Sequence, residues 1–390
     1  MAYPTNTIQT PSADELRSRF DAVPPLTVGL EEELMLLDGE SLDLLPRAAD
    51  VIARTGGDER FKLELPAAQL EIVLPPTASV TASAAALADA RRVLMAAADG
   101  VGRLAAAGAH PFADPVGTLN TGERYELISE EYGTVARCQL VSALQVHVAV
   151  GGHARTLAVY NALRAHLPEL AALAANAPFL AGRDTGLASV RPKVCDLLPR
   201  QGVPPEIPSW EAFAEALRWG AAAGSVPEPR RWWWELRPHP QHGTLEVRVP
   251  DAQATVADAG AVAAVVHALV GWLCDRHEAG ELPAAAPSWR IAENRWAACR
   301  HGLDAQLADL GTGATRPARE LLAERLDALS ANAEALDCAA GLRHARTLLA
   351  DNGAERQRRV AAGGGGARAA ARWLADAYEP SAAPVGAPNG

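Results

Sequence analysis

Five glutamates carry most of the chemistry this sequence offers. Side chains alternate between the two faces of a strand. In LTVGLEEELMLL, Val28, Leu30, Leu34 and Leu36 then share one face, while Glu31 and Glu33 share the other. In FKLELPAAQLEIVL, Phe61, Leu63 and Leu65 oppose Glu64. Pro66 breaks that run, and a second short strand sets Glu71 against Leu70, Ile72 and Leu74. In LVSALQVHVAV, Gln145 and His147 form the polar face. In GTLEVRV, Glu246 and Arg248 oppose Leu245, Val247 and Val249. A sheet face kept polar for solubility usually mixes threonine, lysine and both charges. Here the face is acidic, with Arg248 the only nearby cation, and like charges on one face repel. Five carboxylates brought together need a counter-charge. Hard divalent cations with oxygen ligands supply one, Mg2+ or Mn2+ held by a few carboxylates plus the phosphates of a substrate. Because of the crowding, glutamine at Glu31, Glu33, Glu71 or Glu246 is expected to leave the cation-free protein as stable or more so.

Two further constellations suit anions. PFLAGRDTGLASVRPK, residues 178–193, packs Arg183, Asp184, Thr185 and Arg191 into one turn, and an arginine there can grip a carboxylate or phosphate. In RRWWWELRPHPQHGTLEVRVPD, residues 230–251, Trp233, Glu235 and Arg237 share a strand face. Trp234, Arg237 and His239 lie close in sequence to Glu246 and Arg248. No GxxxxGK[ST], no GxGxxG opening a helix and no GxSxG elbow is present, which removes support for P-loop, dinucleotide-fold and serine-hydrolase readings.

The elements that must position these groups read as α+β. Residues 1–24 form a loose arm. A strand-rich region runs over 26–74, and strands are expected at 140–150, 232–238 and 244–250. Helices are expected at 78–107, 154–175, 255–278, 289–309, 316–337, 339–350 and 367–378, so that the last third is nearly all helix. Proline-rich breaks at 192–209 and 225–231 flank the anion-binding motifs, and one of them is expected to cover the site as a lid. Residues 25–378 make one catalytic domain, and 379–390 a disordered tail. Net charge is −11, from 47 acidic and 36 basic groups, which speaks against nucleic acid or an anionic membrane as partner. No apolar run approaches a membrane span, and the start lacks a basic region followed by an apolar core. Five widely spaced cysteines without CxxC spacing suggest free thiols in a reducing cytoplasm.

VGLEEELMLLD, ELPAAQLEIVLPP, NAPFLAGRDTGLASVR, WWWELRPHPQHGTLEVRVPDAQ and ENRWAACRHGLDA resemble, in order, the motifs of the bacterial carboxylate–amine ligases of the glutamate–cysteine ligase type 2 family. The resemblance runs over residues 25–360. It implies a glutamine-synthetase-like fold, a curved antiparallel sheet forming a funnel with helices packed outside. It also implies use of ATP and Mg2+ (or Mn2+) to join a small-molecule carboxylate, commonly the γ-carboxylate of glutamate, to an amine, commonly that of cysteine. Carried over by motif, Glu31, Glu33, Glu64, Glu71 and Glu246 match metal ligands, and Arg248 the arginine beside them. Arg237 and Arg248 would stabilise the transferred phosphoryl group, and His147 or a cluster carboxylate would take the amine's proton. Asn176, Arg183, Asp184, Thr185, Arg191, Trp234 and His239 fall in segments expected to bind substrate or nucleotide. One departure stands out. Where the family reads G-x-H-V-H-V-G, this chain reads Ala143-Leu144-Gln145-Val146-His147-Val148-Ala149, so Gln145 takes a metal ligand's place. Lost hydroxyls and aromatics in Ala174–Leu180 and Leu187–Val190 point to an altered substrate. Two alternatives follow, an amide synthetase of specialised metabolism using another acid or amine, and a non-catalytic binding protein on a ligase fold. A homodimer is left open.

Overall fold

The computed structural model describes residues 10–226 and 231–378. Residues 1–9 of the arm, 227–230 of the second break and the expected tail 379–390 lie outside the described residues. Eleven strands occur among those described: β1 (Val28–Leu37), β2 (Phe61–Leu63), β3 (Gln69–Val73), β4 (Arg103–Ala105), β5 (Leu144–Val148), β6 (Phe179–Leu180), β7 (Arg183–Asp184), β8 (Leu236–His239), β9 (Thr244–Val247), β10 (Gln306–Ala308) and β11 (Thr315–Pro317). Seven form one sheet in the order β2-β3-β1-β5-β9-β8, with β4 pairing the far end of β1. Every pairing is antiparallel. The α+β expectation holds.

One face of this sheet is apolar. Val28, Leu30, Leu34, Leu70, Ile72, Leu144, Val146, Leu245 and Val247 are all enclosed there. The helix Val256–Glu278, capped by the Thr255 hydroxyl on Asp258 N–H, runs behind β5 and against the helices Val80–Ala98, His153–Leu163 and Ala339–Ala350. It is long and apolar enough to cross a membrane, but it is enclosed by protein. Glu32 breaks the apolar pattern on this face. It is fully buried and bidentate with Arg91 (2.9 and 2.6 Å), whose remaining N–H groups reach the Gln253 and Ala254 carbonyls. The guanidinium also stacks 4.2 Å from the Tyr378 ring. A buried charge needs such pairing.

Several elements differ from the sequence expectation. The arm contains a helix, Ala13–Asp21, opened by a Ser12–Glu15 capping box. Its Leu16 and Phe20 are buried, with Phe20 4.7 Å from the Trp210 ring. Burying two such side chains favours docking by roughly 1.5–3 kcal/mol each. The alanine-rich helix stops at Ala98, and Arg103–Ala105 belongs to β4. Residues 154–175 divide into the helices His153–Leu163 and Leu167–Leu173. The stretch 289–337 is not continuous helix. A β10–β11 hairpin separates Ser288–His301 from Ala318–Ala328. Residues 123–137, for which periodicity gave no element, form the helices Glu123–Tyr132 and Thr134–Arg137.

Candidate active site

The other face of the sheet carries the acids, and strand register fixes their order. Glu71 pairs Glu33 across β3 and β1, Glu31 pairs Gln145 across β1 and β5, and Glu246 lies between His147 on β5 and Arg237 on β8. Glu64 sits in the β2–β3 turn and completes the first of two clusters. Ligand atoms of Glu33, Glu64 and Glu71 lie within 4.8 Å of one another, as do those of Glu31, His147 and Glu246. All five predicted glutamates are therefore brought together.

The two clusters differ in counter-charge. Burial raises the pKa of Glu33, Glu64 and Glu71. The neighbouring carboxylates add to this at Glu33 and Glu71, with Glu33 reaching about 7 and Glu71 pushed well above the usual range. At Glu246 burial also pushes upward, but Arg237 and Arg248 outweigh it and hold the carboxyl well below the usual range. Arg237 donates to both Glu246 oxygens (2.6 and 3.0 Å), and Arg248 donates to Oε1. At Glu31 the nearby imidazole of His147 likewise outweighs burial, and the pKa falls. Arg248 is thus not the only cation on this face. Arg237 pairs Glu246 and Lys62 pairs Glu71 in register.

Gln145 does not stand as a free ligand. Its Nε2 donates to Glu33 Oε1 (2.8 Å), and its Oε1 accepts from Arg248 Nη1 (2.5 Å). His147 takes the ligand geometry instead. Its Nδ1 bonds the Thr244 hydroxyl (3.0 Å), and Nε2, buried without a hydrogen-bond partner, faces Glu31 (3.5 Å) and Glu246 (4.0 Å). His239 stacks on His242 at 4.3 Å, and burial pulls it down to about 3, so it is neutral and offers phosphate no charge.

A cavity of about 160 Å³ opens beside the first cluster. Glu33, Glu64, Arg191, Trp233, Glu235 and Arg248 line it, with Arg124 and Ile128 contributed by the helix Glu123–Tyr132. Glu235 is held bidentately by Arg295. Arg191 is fixed by Asp251 (2.8 Å) and the Val249 carbonyl (2.6 Å). Asp251 is a hub that sequence reasoning passed over. It also accepts from Asn176 N–H and the Ser189 hydroxyl. Gly108 packs so closely that a Cβ there would lie 2.6 Å from the Asp251 carboxyl carbon.

Other predicted residues fall outside this cavity. Asn176 is fully buried, its amide engaged by Ala252 and Gln357, so it builds the hub and does not line this cavity. Arg183, Asp184 and Thr185 form an exposed hairpin, with Asp184 paired to Arg358 and Thr185 to the Pro178 carbonyl. Trp234 does not line the cavity, whereas Trp233 does, edge-on to Tyr132 at 5.8 Å. Arg124, His242 and Arg295 were missed. Arg124 and Arg295 lie on helices whose register with the sheet only folding sets.

The family described as glutamate–cysteine ligase family 2 matches residues 27–373. A Rubrobacter xylanophilus protein provisionally named glutamate–cysteine ligase 2-3 is 40% identical over 93% of this chain and 99% of its own length. A Frankia alni protein provisionally named glutamate–cysteine ligase 2-1 is 34% identical over 88% and 92%. Among solved structures, a Francisella tularensis glutamate–cysteine ligase in complex with AMP superposes with TM-score 0.69 at 12% identity, covering 90% of this chain and 88% of that one. At that identity the likeness shows the fold.

Proposed function

The chain belongs to glutamate–cysteine ligase family 2, and from that membership and its site we propose that it is an ATP-dependent carboxylate–amine ligase forming an amide bond. The observation that carries the reading is an all-carboxylate cluster beside an arginine-flanked one on a single sheet face. A carboxylate is a poor acyl donor at neutral pH and must be activated. In the proposed route its oxygen attacks the γ-phosphorus of ATP, the bond to the bridging oxygen breaks, and acyl phosphate and ADP form. The amine then attacks the acyl carbon, the carbon–oxygen bond to phosphate breaks, and the nitrogen gives up one proton.

The donor sets fit divalent cations. Glu33, Glu64 and Glu71 offer only oxygens, as Mg2+ prefers, and Glu31, His147 and Glu246 add an imidazole that Mn2+ tolerates well. When bound, such an ion would offset the charge of the nucleotide phosphates. The protein's own part is positioning and charge. Arg248 and Arg237 are both held on Glu246; Arg248 lines the cavity, where it would stabilise the transferring phosphoryl group, and Arg237 fixes Glu246 from the other side. His147 belongs with the ion-holding set. A carboxylate of the clusters is then the better acceptor for the amine's proton.

Glutamate and cysteine are the first substrates to test, because the relatives' names specify that pair. The apolar cavity wall of Leu65, Ile128, Val141, Leu198 and Trp233 favours a second reading, an acid or amine with a less polar body. Acid-dependent ADP release, with hydroxylamine trapping any acyl phosphate and mass spectrometry of the product, tests both. ADP release that no acid stimulates would refute ligation.

A further inference from the structure

We propose that Gln145 is a positioning residue that ties the two carboxylate clusters together and is not a ligand of the cation. The proposal rests on the ligase reading above. Both ends of its amide are committed, Nε2 to Glu33 Oε1 at 2.8 Å and Oε1 to Arg248 Nη1 at 2.5 Å. The reverse orientation would set an NH2 against a guanidinium and an oxygen against a carboxylate, so the amide has one favourable orientation. An ion placed on that oxygen would sit beside the positive charge of Arg248. The position is built to be fixed. Gln145 is 3% exposed and pairs Glu31 in register.

The consequences reach both clusters. Glu33 is held at both oxygens, by Gln145 on Oε1 and by the Ala143 N–H on Oε2 at 2.7 Å. Arg248 is held by Gln145 and Glu246 while its guanidinium faces the cavity. A neutral side chain that donates to one partner and accepts from the other therefore sets the spacing between the ion-holding carboxylate and the phosphoryl-facing arginine. Glutamate at this position would accept from Arg248 but repel Glu33. Methionine would keep the length and make neither bond.

The test is Gln145→Met, read in three ways. Calorimetric titration with Mn2+ should show the same number of ions as wild type, with affinities within about threefold. Thermal unfolding of Gln145→Met, Arg248→Lys and the double variant should show shifts that do not add, since the residues share one hydrogen bond. Hydroxylamine trapping should show kcat at least tenfold lower with KM for ATP little changed. Loss of one Mn2+ from the count, a tenfold weaker Mn2+ affinity, or additive unfolding shifts would overturn the proposal. Mn2+ titration and unfolding decide the role of Gln145 even if wild type traps no acyl phosphate, the result that instead defeats the ligase reading. Gln145→His, which can still donate and accept, serves if the methionine variant does not fold, and should lose less activity than any variant making neither bond.

Discussion

Glu71 and Glu246 are the same residue type on the same face of one sheet, and both are pushed upward by burial. Glu71 ends far above the usual carboxylate range and Glu246 well below it. The difference is the company each keeps. Around Glu71 the near neighbours are Glu33 and Glu64, and Lys62 offsets them only in part. Around Glu246 two arginines converge, one from β8 and one just after β9. One cluster therefore carries its counter-charge within the protein, while the other is arranged to take it from outside. That contrast separates the roles: the arginine side is compensated in part before any ligand arrives and is preformed for negative charge on a substrate, whereas the acid side depends on a cation for its counter-charge.

The sharpest way to break this comparison is Glu246→Gln. Crowding on a uniformly acidic face would make that change neutral or stabilising, as the sequence suggested. The structure predicts the opposite. It leaves the buried Arg237 and the partly buried Arg248 without their shared partner, a loss of about 3–5 kcal/mol, together with loss of ligation. Chemical denaturation measures it, and a variant as stable as wild type would show that the arginines do not depend on Glu246.

The acid cluster should reveal itself through pH. Glu33 keeps its proton to about pH 7 when folded but releases it near 4.5 when unfolded. Between those values the folded state binds more protons, so its contribution to stability is complete below about 4.5 and lost as pH rises to 7. At 1.36 kcal/mol per unit, the loss is on the order of 3 kcal/mol. His110, His239 and His267, kept neutral by burial, act in the reverse direction, so the informative quantity is the difference between wild type and Glu33→Gln. With a chelator present that difference should grow in the variant's favour from pH 5 to 7, and added Mg2+ should remove it. A flat difference would mean that Glu33 is ionised in the folded protein. Glu71, pushed up further still, should act in the same direction at higher pH, so that Glu71→Gln raises stability as pH climbs past 7 while weakening the response of the melting temperature to Mg2+.

Much of this contrast was legible in the sequence, and what was not has a common cause. Period-two alternation placed Glu31, Glu33, Glu71 and Glu246 on one face, because alternation is a property of the strand alone. Glu32, which sequence reasoning passed over, falls on the opposite face, and nothing local announces Arg91 as its partner, 59 residues away. The division into two clusters was hidden for the same reason. Whether Arg237 meets Glu246 depends on β8–β9 register, and whether Gln145 meets Arg248 depends on the β5–β9 pairing. Asn176 and Asp184 drew attention as polar residues in dense motifs, but folding spends them on Gln357 and Arg358, more than 170 residues away. Spacing signals a polar residue but does not say which partner reaches it first.

The smallest expected effect concerns the cover of the acid cluster. Pro192, Cys195, Leu198, Gln201 and Gly202 line the same cavity as Glu33 and Glu64, while Leu197 in the same stretch is half exposed. Arg200 there holds φ at +60°, a conformation uncommon for residues other than glycine and one that a change of backbone would relieve. The segment 192–209 is therefore the part of the wall most free to respond when the acid side gains its cation and nucleotide. Hydrogen exchange should slow at the amides of residues 196–203 when Mg2+ and ATP are added together, by about tenfold for a stabilisation near 1.4 kcal/mol. The β8–β9 amides beside Glu246, whose counter-charges are already in place, should change little. In Glu71→Gln the slowing should be lost. Equal protection with and without ligands in wild type would remove the lid, and slowing on the β8–β9 side alone would reverse the assignment of which cluster is completed from outside.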